Sequence, residues 1–567
     1  MQNIFGIISN NRNLQSYINK NSASHKYTNS YAENGIAYNF DINERCSFRE
    51  CFYISKNVHV LVAGDVINKD FLDNIISSIK EKITDDAYAV CKDCLLQSLN
   101  KIEGIFCIVI FDVQNQKICI LSETNGIIPV YYFHSKTNFI FATSIKQILS
   151  AQKRQMSLNY NAVYEIFKIG FIQPPDTLFK EINALLPGTV LEFDGKIHLF
   201  NPPKKEQTFI SMNIEEAADY YFTLFEKSVL NRVSQEEKTA LLLSGGVDSA
   251  AIAAILHKHK IPITCYTLDC NLEKPVEIIG AEKVCKLFNF KHISVSQFDK
   301  DIIPALNDVI RLNEAPIFNG IMEYAISDMI EKDTKIVITG DGNDLIWSIF
   351  PSHLKNHLQN DNLFSNLYLK IRSLLPDNLL DKLLLFSIEP QNLCSKIDAL
   401  YHNTGDFLLD AAKADIKIFG DSYAFTSLGK LKMKTNSFNF KFPYLDYQIE
   451  SLISSLPENF KHNSNNNLPF INKYLFKFAL EQKQLLPKEI IHTQKTWMYS
   501  PNAVWLRSCL KKDFENIVID NSDFVKEVFN INVIKQLWKL HIEQKQDFSF
   551  ILMMVMQFEL WYKIFSE

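Results

Sequence analysis

Residues 241–249 (Leu-Leu-Leu-Ser-Gly-Gly-Val-Asp-Ser) constrain the fold more than any other stretch of the chain. A short apolar run enters a loop with two adjacent glycines, and a helical pattern follows over 250–258. Glycines let the backbone approach an anion closely, and the free N–H groups at a helix start point toward it. The stretch therefore predicts a strand–loop–helix unit whose loop binds phosphate.

The residues of this loop also predict a cation. Asp248 would repel a phosphate group unless a metal ion lay between them, which predicts Mg²⁺. The loop is not a Walker loop, because the Gly-Lys-Ser/Thr ending is missing. The alternative is a glycine-rich turn without a ligand. We assign cofactor contacts to eight residues: Leu243, Ser244, Gly245, Gly246, Asp248, Ser249, Thr267 and Gly340.

The chain has 567 residues, and because one hydrophobic core stops growing at roughly 250–300 residues, at least two domains are expected. In the first part, apolar runs at 105–111 and 118–121 flank a polar turn and predict a hairpin. A Pro-Pro-Lys-Lys stretch at 202–205 marks a linker, so we predict domains at 1–205 and 206–567. Strand and helix patterns alternate after the linker, which predicts a doubly wound parallel sheet, and a mainly helical region follows.

Charge and composition exclude several partners. The 59 Lys and Arg residues are outnumbered by 64 Asp and Glu residues, which gives a net charge of −5 and argues against nucleic-acid binding. No run reaches the roughly 18 apolar residues of a membrane-spanning helix. The N-terminus shows no signal peptide, and eleven cysteines are too sparse for a disulfide scaffold. We therefore expect a cytoplasmic protein with free thiols.

Four ordered motifs resemble one enzyme family. Ser-Gly-Gly-Val-Asp-Ser at 244–249 is similar to the pyrophosphate loop of ATP pyrophosphatases, and 338–344 (Ile-Thr-Gly-Asp-Gly-Asn-Asp) is similar to the second motif of glutamine-dependent asparagine synthetases, Gly-Glu-Gly-Ser-Asp-Glu. Residues 442–446 (Phe-Pro-Tyr-Leu-Asp) and the segment containing Leu486, Pro487, His492, Lys495 and Trp497 resemble later motifs of that family. The resemblance covers nearly the whole chain. It implies an N-terminal Ntn-hydrolase-like αββα sandwich and a C-terminal α/β ATP-pyrophosphatase domain with helical additions.

The resemblance also implies the chemistry. ATP adenylates a substrate carboxylate with release of pyrophosphate, and an amine then displaces AMP. Asp248 and Asp344 are predicted to hold Mg²⁺ at the ends of two strands. Asp341 is predicted to take a proton from the amine, and Lys495 to place a positive charge near the pyrophosphate or the tetrahedral intermediate. A solvated surface lysine is the alternative for Lys495.

The N-terminal domain has lost the residues for glutamine hydrolysis. Family members begin Met-Cys-Gly-Ile-Phe-Gly with the cysteine as nucleophile, whereas this chain begins Met-Gln-Asn-Ile-Phe-Gly, and the amide of Gln2 cannot act as a nucleophile. The oxyanion-hole amide of the family's Asn-Gly-Glu segment is replaced by Ala63, and the family's Arg-Asp-Arg-x-Gly appears as Ser-Glu-Thr-Asn-Gly at 122–126. We therefore predict the glutaminase fold without glutaminase activity.

Relatives without the thiol include β-lactam synthetases, carbapenam synthetases and lasso-peptide cyclases. Leu345, Ile346 and Trp347 replace polar or glycine-rich family positions and favour a larger or less polar acceptor than aspartate. We predict an amide ligase of a natural-product or peptide-modifying pathway, which uses a carboxylate substrate and an amine donor and has no nucleic-acid or membrane partner. A pathway partner protein is also conceivable. An asparagine synthetase that uses aspartate and ammonia is the alternative within this class.

Two other classes remain open. A tRNA-modifying ATP pyrophosphatase would share the loop, but the acidic net charge disfavours it. A non-catalytic scaffold would have no need of Ser244, Asp248 and Asp344.

Overall fold

The computed structural model describes residues 4–566 except for 10–27, 34, 42–47, 83–85, 153–156, 203–210, 270–274, 296–300, 318–319, 349–362, 406, 421–437, 464–470 and 494–500. The chain forms two compact units. The described residues of the first come from Met1–Asn159, Pro174–Glu206 and Asp421–Asn439, and those of the second from Tyr160–Gln173, Gln207–Gly420 and Phe440–Glu567. The division into domains at 1–205 and 206–567 stays a prediction.

The first unit contains two six-stranded sheets. Its strands are β1 (Ile4–Ser9), β2 (Thr28–Glu33), β3 (Ile36–Asp41), β4 (Phe48–Tyr53), β5 (Val58–Val66), β6 (Gly104–Asp112), β7 (Lys117–Ser122), β8 (Tyr131–His134), β9 (Asn138–Ala142), β10 (Ile182–Ala184), β11 (Val190–Phe193) and β12 (Ile197–Phe200). The strand orders are β10-β8-β9-β1-β3-β2 and β12-β11-β7-β6-β5-β4. The predicted hairpin is confirmed as the antiparallel pair β6–β7.

Both faces of the second sheet are buried, which explains its continuous apolar strands. Along β5, Leu61 and Ala63 point into a core shared with the first sheet, whereas Val60 and Val62 point into a core shared with two helices. Those helices are α1 (Lys69–Glu81) and α2 (Ala87–Ser98), and α3 (Ile145–Ala151) packs against β8 and β9 of the first sheet. The predicted αββα sandwich is confirmed.

The second unit is built on a five-stranded sheet with the order β15-β14-β13-β16-β17. The strands are β13 (Thr239–Leu242), β14 (Ile263–Leu268), β15 (Lys291–Val295), β16 (Ile336–Thr339) and β17 (Asn439–Lys441), and a two-stranded sheet adds β18 (His462–Asn463) and β19 (Ile471–Asn472). The pairs β13–β14, β13–β16 and β14–β15 are parallel. The predicted doubly wound parallel sheet is confirmed.

Helices make up most of the second unit. They are α4 (Tyr160–Ile169), α5 (Ile214–Leu230), α6 (Val247–Lys258), α7 (Val276–Phe288), α8 (Ile302–Asn313), α9 (Gly320–Met329), α10 (Asn343–Trp347), α11 (Phe364–Arg372), α12 (Asp377–Leu383), α13 (Pro390–Leu400), α14 (Phe407–Gly420), α15 (Tyr447–Ser455), α16 (Glu458–Lys461), α17 (Tyr474–Gln482), α18 (Lys488–Ile491), α19 (Asn502–Arg507), α20 (Lys511–Phe514), α21 (Asp523–Val528), α22 (Ile531–Ile542) and α23 (Ser549–Phe565). Residues 551–561 of α23 are buried, so this apolar helix belongs to the core. Among the described helices, none has the length and apolar character to cross a membrane.

Candidate active site

The parallel sheet places its ligand crevice beside β13. The chain runs outward from β13 to β14 and β15, then returns to β16 on the other side of β13. Ligands of open α/β sheets bind at such a reversal, beyond the carboxyl ends of the strands. Helix α6 begins after β13 and carries Asp248 in its first turn, and helix α10 begins after β16 and carries Asp344 in its first turn. The topology therefore brings the two predicted metal-binding aspartates to the same crevice.

The two serines of the loop at 244–249 hold it in shape. The Ser244 and Ser249 hydroxyl oxygens lie 3.2 Å apart, and the Ser249 oxygen accepts the Ser244 N–H at 3.2 Å. The Gly246 N–H reaches the Ser244 hydroxyl at 3.4 Å, and the Ser249 hydroxyl donates to the Gly246 carbonyl at 3.3 Å. The conformation of the loop predicted to bind phosphate is thus stabilised by its own side chains.

Backbone atoms leave no room for a side chain at Gly245 and little room at Gly340. Gly245 has φ +72°, and a Cβ there would lie 2.5 Å from the Gly280 Cα on α7. A Cβ on Gly340 would lie 3.0 Å from the Ser249 nitrogen at the start of α6. Close backbone packing therefore explains both glycines, whereas their contacts with nucleotide stay predictions.

Replacement of Gly245 with Ala should destabilise the protein by about 1–3 kcal/mol and weaken Mg-ATP binding, because it combines a positive φ with a backbone clash. Thermal unfolding and ATP titration would measure both effects. Gly405→Ala is a matched control, because Gly405 has φ +100° and open space around its Cα. Equal losses in the two variants would contradict the role of packing against Gly280.

A lysine joins the two aspartates. The Lys473 Nζ lies 2.6 Å from the Asp248 Oδ2 and 2.8 Å from the Asp344 Oδ1. The Asp248 Oδ1 accepts a hydrogen bond of 2.6 Å from the Asn343 side-chain amide. Both carboxylates thus lie within reach of one ammonium group.

The backbone conformation, burial and pKa of Lys473 are typical of a functional residue. It precedes α17 with a left-handed φ of +55°, a strained conformation for a residue with a side chain. Its side chain is only 6% exposed. Burial opposes its charge, but the carboxylates of Asp248 and Asp344 raise the pKa of Lys473 above its usual range. Sequence reasoning missed this residue, since no local pattern distinguishes it from a surface lysine.

The residues around this ammonium group fit a Mg²⁺ ion that arrives with a nucleotide. The side chains of Asp248 and Asp344 are 22% and 41% exposed, and the buried Asn343 Oδ1 has no hydrogen-bond donor among the described residues. Oxygen atoms of this kind are the ligands that Mg²⁺ prefers. The described residues contain no cluster of three or more metal-binding acidic, histidine or cysteine side chains. The phosphates would therefore have to supply much of the coordination, as in many nucleotide enzymes.

Residues of the Phe-Pro-Tyr-Leu-Asp motif at 442–446 form hydrogen bonds and an ion pair that stabilise the site. The Tyr444 hydroxyl donates to the Asp248 carbonyl at 2.8 Å. Asp446 forms a buried ion pair with Arg232 at 3.2 Å and caps α15 through the Gln448 N–H. The motif thus fixes the start of α6 through the backbone of Asp248.

Thr267 stabilises the residue that directly precedes the loop at 244–249. Its hydroxyl donates to the Leu243 carbonyl at 2.6 Å and lies 2.9 Å from the His292 Nε2 on β15. Burial lowers the pKa of His292, which favours the neutral ring. The sequence pattern did not single out His292. Direct contacts of Leu243 and Thr267 with a nucleotide stay predictions.

The predicted acceptor residues divide into two groups. Asp341 is half-buried at the crevice, and its Oδ2 accepts the Thr339 hydroxyl at 2.9 Å. In contrast, Leu345, Ile346 and Trp347 are buried, and the Trp347 ring packs against Tyr221 with the ring centres 5.7 Å apart. The short helix α10 turns these side chains into the core, which does not agree with their predicted part in binding a larger or less polar acceptor.

Two residues of the predicted chemistry, Gln2 and Lys495, lie outside the described residues. Their roles therefore remain predictions.

The altered glutaminase positions serve the structure of the first unit. The Ala63 methyl group lies in the core between the two sheets. The buried Glu123 carboxylate accepts the N–H groups of Asn125 and Ile127, both at 2.6 Å. Burial raises the pKa of Glu123 to about 7, although these hydrogen bonds oppose the shift. The Ala63 methyl group thus packs in the core, and the Glu123 carboxylate stabilises the loop that contains Asn125 and Ile127.

The loop, the parallel sheet and the paired aspartates define an ATP-using ligase of the pyrophosphatase type. Comparison with known families agrees: the asparagine synthase family matches residues 222–563, and a glutamine amidotransferase domain matches residues 88–201. The first match covers more than half of the chain. The chain belongs to the asparagine synthase family, whose members are ATP-dependent ligases.

Curated relatives are distant. Asparagine synthetase [glutamine-hydrolyzing] 3 of Bacillus subtilis is 22% identical over 439 residues, which are 71% of this chain and 68% of the relative. A putative asparagine synthetase of Methanocaldococcus jannaschii is 22% identical over 341 residues, 57% of this chain and 64% of the relative. The human enzyme is 22% identical over 434 residues, 70% of this chain and 64% of the relative. The chain thus spans about two thirds of the length of these relatives.

A solved NMN synthetase from Francisella tularensis is 20% identical and covers 25% of this chain and 59% of its own. The TM-score of this match is 0.18.

Proposed function

We propose that this protein forms amide bonds by adenylating a substrate carboxylate with ATP and passing the acyl group to an amine, without glutaminase activity of its own. The observation that carries the proposal is the convergence of Asp248 and Asp344 on Lys473 at the strand-order reversal. We favour a specialised acid or peptide of a natural-product or peptide-modifying pathway as the substrate, because Gln2 replaces the cysteine nucleophile, as in the thiol-less relatives; the buried Leu345, Ile346 and Trp347 do not support this choice.

In the first step, a carboxylate oxygen attacks the α-phosphorus, and the bond between that phosphorus and the departing pyrophosphate breaks. The N–H groups of the loop at 244–249 and the Lys473 ammonium bind the polyphosphate. Mg²⁺, when bound by Asp248 and Asp344, would neutralise charge on the phosphates. These groups stabilise the charge that moves onto the leaving group.

In the second step, the amine nitrogen attacks the acyl carbon, and the bond from that carbon to the AMP oxygen breaks. The amine loses a proton, for which the Asp341 carboxylate is the acceptor in this proposal. Lys495 would stabilise the tetrahedral intermediate.

The absence of glutaminase activity is supported by the sequence at the nucleophile position. Gln2 stands where the resembling enzymes have cysteine. The amidotransferase match begins at residue 88, so it does not extend to Gln2 or to the altered segment at Ala63.

An asparagine synthetase that uses aspartate and free ammonia is the second candidate. It is favoured by the carboxylate at Asp341, where the resembling synthetases have Glu, and by the similarity of the chain to asparagine synthetases.

Incubation with Mg-ATP, aspartate and either ammonium or glutamine would test both candidates. We expect no glutamate release from glutamine, because Gln2 offers no nucleophile. AMP formed with ammonium and aspartate would establish the second candidate, whereas AMP formed only with larger amino acids or peptides would support the first. Glutamate release above that of a heat-inactivated control would contradict the loss of glutaminase activity.

A further inference from the structure

A second lysine lies one helical turn beyond Lys473. Lys473 directly precedes α17, and the Lys477 N–H donates to the Lys473 carbonyl at 3.0 Å, so one helical turn separates the two residues. The buried residues of α17 include Leu475, Phe476 and Ala479, whereas Lys477 lies close enough to the crevice for the charges of Asp248 and Asp344 to act on it. Lys477 is half-buried.

The charge of Lys477 lacks a counter-ion among the described residues. Asp248 and Asp344 act on it electrostatically, but both form their ion pairs with Lys473. Lys483, at the end of the same helix, is in contrast paired with Asp219 at 2.7 Å. Burial, and then the neighbouring charge of Lys473, lower the pKa of Lys477. A partly buried cation without a partner is costly, so an anion that binds beside it gains affinity.

We propose that Lys477 binds the terminal phosphates of ATP and the pyrophosphate released from it, which makes it a binding residue for the leaving group. This inference rests on the proposed function. Two ammonium groups on successive turns suit a ligand with several negative charges in a row better than a single carboxylate. The loop at 244–249, which we propose binds phosphate, lies close to the two lysines, because Lys473 forms an ion pair with Asp248 of this loop.

The assignment predicts different effects of a Lys477 variant on the binding of pyrophosphate and of AMP. Lys477 contacts the leaving group and not the AMP part, so its loss should weaken binding of Mg-ATP and Mg-pyrophosphate but not of AMP. A hydrogen bond to a charged group corresponds to about a tenfold to hundredfold change in affinity.

Isothermal titration of the full-length protein with Mg-ATP, Mg-pyrophosphate and AMP would test this without knowledge of the carboxylate substrate. We expect Lys477→Gln to weaken both polyphosphates at least tenfold, Lys477→Arg to retain most of the affinity, and AMP binding to stay unchanged. Lys483→Gln is the matched control for loss of one positive charge on α17. If Lys477→Gln does not fold, Lys477→Met is used in its place, because methionine keeps the apolar part of the side chain and removes the charge.

Wild-type pyrophosphate affinity in Lys477→Gln or Lys477→Met would overturn the assignment, as would an equal loss in Lys483→Gln. Failure of the wild-type protein to bind Mg-ATP would instead overturn the proposed function, and with it this assignment.

Discussion

Replacement of Asp248 with Asn is expected to lower AMP formation by about 10³-fold, since charge stabilisation at the phosphates supplies several kcal/mol in such enzymes. The variant keeps the shape of the side chain and its position near Asn343 but removes the negative charge that pairs with Lys473 and that we propose binds Mg²⁺. AMP release and the Mg²⁺ dependence of ATP binding are the measurements. We expect the variant to need more Mg²⁺ for binding.

Two comparisons sharpen this test. Asp344→Asn should show a similar loss, because Asp344 contacts the same ammonium group. Asp219→Asn removes a carboxylate that pairs with the partly exposed Lys483 and should leave turnover unchanged. Normal turnover in Asp248→Asn would refute the metal assignment, provided that thermal unfolding is unchanged.

Replacement of Asp446 with Ala is expected to destabilise the second unit by about 3–5 kcal/mol, because it leaves the Arg232 guanidinium buried without its charged partner. The variant also loses the helix cap on α15, which by itself contributes about 1 kcal/mol. Thermal unfolding would show a fall of several degrees in the midpoint. Activity should fall as well, since Tyr444 would no longer be held beneath Asp248.

Matched variants identify the cause of this loss. Asp333→Ala removes a carboxylate that pairs with Lys238 on the surface, and it should shift the midpoint little. The double variant Arg232→Met with Asp446→Leu should recover much of the stability, because apolar replacement of a buried ion pair is often neutral or stabilising. A midpoint for Asp446→Ala equal to that of Asp333→Ala would contradict the structural role.

The site was only partly accessible from sequence. The loop at 244–249 and the aspartates Asp248 and Asp344 were predicted, and the sheet brings both aspartates to one crevice. Asp446 lies in a recognised motif, yet its function as the partner of Arg232 was not predicted. Trp347 was placed at the acceptor and is instead in the core, because side-chain direction on a short helix depends on what packs against it.

By itself, the sequence determined the strand–loop–helix unit, the two sheet types and the loss of the cysteine nucleophile. These features depend on neighbouring residues: apolar periodicity sets strand and helix, and glycine permits the tight loop. The tertiary structure alone decided that Lys473, 225 residues from Asp248, joins the two aspartates, and that Lys477 has no counter-ion of its own within the described part of the chain. Contacts over such separations depend on how strands are ordered and helices packed, which no local pattern encodes.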